Sequence, residues 1–87
     1  MPYFTYLARC NDKSLYIGSC KNLEKREKRH NKGEGANYTK VRRPIQIVYS
    51  EEYTTPVEAR RREKQIKGWT RMKKERLIHR VHPNPKK

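Results

Sequence analysis

Tyr3-Phe4-Thr5-Tyr6-Leu7-Ala8-Arg9-Cys10, Asn11-Asp12-Lys13-Ser14 and Leu15-Tyr16-Ile17-Gly18-Ser19 follow one another without a gap. Two runs rich in aromatic and β-branched residues flank four polar turn formers, which predicts an antiparallel hairpin. Cys10 then lies near the turn and Cys20 at the far end, too far apart for a disulfide. Neither has the His or Cys neighbours of a zinc site, so both are expected as free thiols.

Working outward, Lys21 to about His30 reads as a helix. Asn22 is placed to cap it, and Glu24 sits in the first turn, where the helix dipole favours an anion. Residues 31 to 43 hold Gly33 and Gly35 and read as a basic loop with room for one short helical turn. Pro44 to Ser50 reads as a third strand, with Pro44 at its entrance. Thr55-Pro56-Val57-Glu58 carries the signature of a helix start: a capping Thr, a Pro at the first position and a Glu that completes a capping box. That helix runs to about Lys67, with Gly68 as the stop. A last helix runs from Thr70 to about Arg80, with Met72, Leu77 and Ile78 as its apolar residues. Residues 1 to 80 are expected as one domain and 81 to 87 as a flexible basic tail. The order β-β-α-β-α-α predicts an α+β fold, a three-stranded antiparallel sheet flanked by helices.

The chain has 87 residues and is only 32% hydrophobic, so its core must be thin. Lys and Arg number 23 against 9 Asp and Glu, a net charge of +14. Such self-repulsion calls for a polyanionic partner, and a phosphate backbone is the natural one. A membrane partner is not expected, because one Phe and one Trp supply no broad apolar helix face. No stretch approaches the length of a spanning helix, and Met1-Pro2-Tyr3-Phe4 lacks the marks of a signal peptide. A cytoplasmic, monomeric protein is the expectation. There is no Walker-type loop, no Ser/His/Asp order and no Asp-x-Asp pair.

Some polar residues fall on stripes that should face the sheet. Ala59, Glu63 and Ile66 share one helix face, which puts a carboxylate between two core residues. Either an ion pair with an Arg or a bound metal would account for it. Leu23, Arg26 and His30 share another face. Arg26 and His30 read either as a phosphate clamp or as ordinary positions on a charged helix. Tyr6 and Tyr16 can project together from the hairpin, as half-buried core residues if nothing more. Gly18 permits a close backbone approach, by the helix or by a phosphate.

Taken in order, these segments resemble the GIY-YIG nuclease superfamily, in its small stand-alone single-domain bacterial group. The matching segments are Thr5-Tyr6-Leu7, Leu15 to Ser19, Asn22 to Arg26 with His30, Gly35 to Thr39, and Glu58 to Trp69. The first motif, named for Gly-Ile-Tyr, reads Phe4-Thr5-Tyr6 here. The resemblance implies phosphodiester hydrolysis with one divalent ion, Mg²⁺ or Mn²⁺. It makes Glu63 the metal ligand, Arg26 the catalytic arginine, and Tyr6, Tyr16 and His30 further catalytic groups. On this reading Tyr6 helps deprotonate water, its pKa pulled down by nearby cations and the metal. Tyr16 and His30 orient water or phosphate. Gly18, Lys32, Lys40, Arg42 and Arg43 contact nucleic acid, DNA in preference to RNA, with repair or recombination as a candidate setting. A binding module without hydrolytic activity, or an RNA-binding basic protein, is the competing expectation.

Overall fold

The computed structural model describes residues 2 to 81. The elements are β1 (Tyr3–Arg9), β2 (Leu15–Cys20), α1 (Leu23–Asn31), α2 (Asn37–Lys40), β3 (Gln46–Tyr53), α3 (Pro56–Lys67) and α4 (Arg71–Val81). The strands form one antiparallel sheet in the order β2-β1-β3, so the α+β architecture is as expected. Val81 ends α4, and residues 82 to 87 of the expected tail lie outside the described residues.

The central strand is buried on both faces, and its alternation divides the core. Tyr6, Ala8 and Cys10 pack with Cys20 and Ile45 on one face, against Leu23 of α1. Leu7 packs with Ile17, Tyr49, Ile66 and Ile78 on the other, against α3 and α4. Thr5 Oγ1 donates to the Ala59 carbonyl at 2.6 Å and ties α3 to that second face. Both cysteines are buried free thiols. Met72, expected as apolar packing, is 65% exposed; Ile78 and Leu77 face the sheet instead.

The caps read from the sequence form. Asn22 Oδ1 accepts from the Lys25 N–H at 2.9 Å, and Thr55 Oγ1 from the Glu58 N–H at 3.2 Å. The third strand differs from the expected 44 to 50. It begins at Gln46 and continues to Tyr53. Ile45 is held instead by Asn31, whose side-chain oxygen accepts its N–H at 2.6 Å and whose side-chain nitrogen donates to its carbonyl at 3.0 Å. The extension carries Glu51 and Glu52, charges that argue against a strand in sequence. Glu51 is tolerated because Arg62 of α3 meets its carboxylate with two bonds, at 2.9 and 3.1 Å. The Tyr53 hydroxyl also donates to it at 2.6 Å, and the Tyr49 hydroxyl donates as well.

Candidate active site

The site begins where β1 and β2 pair Tyr6 with Gly18. Paired residues point to the same face, so a side chain at position 18 would stand against the Tyr6 ring. A β-carbon there would lie 2.6 Å from Tyr6 Oη and 2.7 Å from Cζ. Of the two approaches open for Gly18 in the sequence, the structure shows a third: Gly18 leaves room for a phenol.

That phenol is fully buried and directed at α1. Tyr6 Oη lies 2.9 Å from His30 Nε2, and His30 Nδ1 lies 2.8 Å from Thr39 Oγ1. The Thr39 hydroxyl donates to the Ala36 carbonyl at 3.0 Å. Thr39 Oγ1 therefore accepts from His30 Nδ1–H, which leaves Nε2 to accept from the Tyr6 hydroxyl. The direction of the whole chain follows from its last member. Position 35 closes the pocket around the imidazole, for a β-carbon at Gly35 would fall 2.1 Å from His30 Nδ1.

Burial sets the protonation states. It lowers the His30 pKa first, and the nearby Arg26 and Arg29 lower it further, so the ring is neutral and able to accept. Burial raises the Tyr6 pKa well above the ordinary phenol range, and neighbouring Tyr16 adds to the rise. Arg26 pulls the other way and does not win. Of the cations and metal expected to depress the Tyr6 pKa, Arg26 alone does not suffice, because desolvating the phenolate costs more than one guanidinium returns. His30 uses both ring nitrogens internally, so of the expected Arg26–His30 clamp Arg26 remains, with Nη1 donating to the Ser19 carbonyl at 3.3 Å and the rest of its fork left for phosphate.

Tyr16 completes an aromatic cluster, its ring centroid 6.3 Å from Tyr6 and 5.4 Å from His30. Tyr38 stacks on Tyr16 at 6.2 Å, and the Arg42 guanidinium lies 3.9 Å over the Tyr38 ring. Arg42 also bonds Asp12 at 3.0 Å and the Tyr38 carbonyl at 2.8 Å. Arg43 donates to the carbonyls of Lys40 and Asn31. These two expected phosphate contacts fasten the loop to the hairpin and to α1. Lys32 and Lys40 are exposed.

Glu63 lies on the other side of the sheet, on α3. The two sides meet around β2, one of the two edge strands. There Arg26 and Arg29 of α1 and Ala59 and Arg60 of α3 line one cleft. Glu63 is one turn further along α3. Its side chain is 20% exposed, neither core nor bulk surface, and its carboxylate pairs with Lys67 Nζ at 2.8 Å. The ion pair considered in the sequence therefore exists, with a lysine as partner. The ion pair with Glu63 raises the Lys67 pKa.

Among the described residues no three His, Cys, Asp or Glu gather into a cage for a metal. A lone, half-buried carboxylate still fits a hard ion such as Mg²⁺, which takes one or two carboxylates and fills its other positions with water and phosphate oxygens. The half-exposed Lys67 ammonium pairs with this carboxylate and would have to swing aside for such an ion.

Sequence reasoning missed Thr39, Gly35, Arg29 and Arg60. Gly35 and Thr39 carried a signal, since both fall in a matching segment. Arg29 and Arg60 carried none beyond being two of many cations. No helix among the described residues is long and apolar enough to cross a membrane.

Comparison with known proteins gives the family and supports the fold. Residues 2–76 match the GIY-YIG catalytic domain family. A UPF0213 protein of Staphylococcus aureus (strain Mu3 / ATCC 700698) is 53% identical over 76 residues, 87% of this chain and 93% of the relative. The solution NMR structure of the UPF0213 protein BH0048 from Bacillus halodurans is similar with a TM-score of 0.60 and 34% identity, covering 98% of this chain and 89% of its own. The solution NMR structure of EF2693 from E. faecalis gives 0.63 and 31%, covering 97% and 90%. With the match spanning most of its length, this chain belongs to the GIY-YIG catalytic domain family.

Proposed function

We propose that this protein is a divalent-metal-dependent endonuclease that hydrolyses phosphodiester bonds, with DNA as substrate in preference to RNA. The observation that supports this reading is the buried, directional chain from Tyr6 through His30 to Thr39. The chain locks a neutral phenol and a neutral imidazole behind Arg26 and holds the wall formed by Arg26 and Tyr16 in place. The attacking water lies outside that chain, beside Arg26, and gives its proton to bulk solvent as it attacks.

Arg26 donates to the phosphate, where negative charge grows as hydroxide attacks. Tyr16 and its stacked neighbour Tyr38 wall the site on the loop side. The bond from phosphorus to the leaving oxygen breaks, and that oxygen takes a proton from solvent. Glu63 would hold Mg²⁺ or Mn²⁺, whose chemistry is to neutralise the phosphate and stabilise the leaving oxygen. Lys32 and Lys40 hold flanking phosphates, and the net charge of +14 draws the polyanion in.

The test is nicking of supercoiled DNA with Mg²⁺ against EDTA, for the native chain and Glu63→Ala. Metal-dependent nicking by the native chain, abolished in the folded variant, is the expected result. Salt-sensitive DNA binding with no nicking at any metal concentration would replace the enzyme with a binding module.

A further inference from the structure

We infer that the cleft between the start of α1 and the start of α3 is a binding pocket for one unstacked nucleotide. Its volume is about 430 Å³. That lies within the roughly 300–1,000 Å³ typical of small-molecule sites.

Its lining has two chemistries. Lys21, Lys25, Arg26, Arg29 and Arg60 bring five cations to it, and no carboxylate lines it. None of the ion pairs among the described residues involves any of these five. They are a converging set of donors for an anion. The remaining wall includes Tyr3, Pro56 and the buried Ala59, an apolar surface with an aromatic ring over which Lys21 Nζ sits at 5.7 Å, a flexible ammonium that a base would displace towards its phosphate. Phosphate accounts for the cations only, whereas a nucleotide accounts for both: its phosphate meets the guanidinium groups and its base lies against the ring. A base paired and stacked within a duplex cannot enter such a recess, so the nucleotide must be unstacked.

Arg26 and Arg29 also line the recess beside Tyr16 and His30. One cationic wall therefore serves both places, and the pocket holds the nucleotide next to the phosphate being cut. That adjacency rests on the nuclease reading; nucleotide binding itself does not. The consequence is a substrate with at least one unpaired nucleotide at the cut, such as a frayed end, a flap or a single strand.

The experiment titrates the full chain, in EDTA, with adenosine 5′-monophosphate and separately with inorganic phosphate, followed by NMR. The mononucleotide is expected to bind at least about tenfold more tightly than phosphate and to shift the amides of Ser19, Lys25 and Arg60. Tyr3→Leu should weaken it about tenfold by removing the stacking ring, with Tyr3→Phe retaining most of the affinity. Arg60 is exposed, so Arg60→Gln leaves the fold intact and should cost a similar factor. Equal affinity for phosphate and mononucleotide, or shifts confined to the 32–43 loop, would overturn the assignment. So would indifference to both Tyr3→Leu and Arg60→Gln. Because no metal is present and nothing is cleaved, none of these results depends on whether Glu63→Ala abolishes nicking.

Discussion

Tyr6 Oη and Gly18 occupy one volume in turn: the phenol oxygen lies where a side chain at position 18 would begin, 2.6 Å from its β-carbon. The glycine is thus part of the hydrogen-bonded chain without bonding to anything. It lets a fully buried phenol reach His30 on the helix above.

Tyr6→Phe keeps the ring and removes the hydroxyl that fixes His30. The nicking rate with Mg²⁺ should fall by up to about 100-fold, because the wall that positions Arg26 loosens. The variant leaves His30 Nε2 without its donor, at a cost in stability of about 1 kcal/mol. A native rate in the folded Tyr6→Phe protein would remove the phenol from the mechanism.

Gly18→Ala and Gly35→Ala press methyl groups into Tyr6 and His30 respectively. Overpacking of this kind costs about 1–3 kcal/mol. Both variants should melt at lower temperature and lose nicking. Gly68→Ala is the control, because its β-carbon would meet only the Gln65 carbonyl at 3.5 Å. Equal melting temperatures for Gly18→Ala and Gly68→Ala would contradict the packing described for the phenol.

The depressed His30 pKa makes stability depend on pH. Above the ordinary histidine value of about 6.5 both folded and unfolded chains carry a neutral imidazole, and the contribution is fully present. As pH falls through that value the unfolded chain binds a proton and the folded chain does not, so stability is lost towards the folded pKa. The melting temperature should therefore drop between pH 7 and 5, and His30→Gln should be flat across that interval. The carboxylate of Glu51 acts lower on the scale. Burial alone would raise its pKa, but bonds from Arg62, Tyr49 and Tyr53 hold it below the usual range. Identical pH profiles for native and His30→Gln proteins would show that the ring is not desolvated.

Arg62, the neighbour of Glu63 on α3, tests the second polar cluster, which is built against Glu51 of β3. It bonds Glu51 twice, bonds Gln65 at 2.8 Å, and lies 4.9 Å over the Trp69 ring. Arg62→Ala should cost about 2 kcal/mol through lost charge-assisted bonds to a half-buried carboxylate. Nicking below the melting transition should be unchanged. Loss of activity in a folded Arg62→Ala protein would tie this cluster to the site.

Elements with strong local signals were legible. The hairpin, the Thr55 cap and the helix stripes each rest on residues close in sequence, and they place Ala59, Ile66 and His30 inward. The end of β3 was not legible, because Glu51 and Glu52 look like loop residues until Arg62, eleven positions away, supplies the missing partner.

The same divide runs through the site. Order, spacing and charge along the chain determined the fold, the family and the identity of Tyr6, Tyr16, Arg26, His30 and Glu63 as residues of interest. Only the tertiary structure decided that Tyr6 stays protonated, that His30 spends both ring nitrogens on Tyr6 and Thr39, and that Thr39 sets the tautomer. It also put Lys67 against Glu63 and gathered Arg29 and Arg60 into one cleft. Spacing reports which residues share a face, but a pKa and a hydrogen-bond direction depend on burial and on partners brought together from distant parts of the chain.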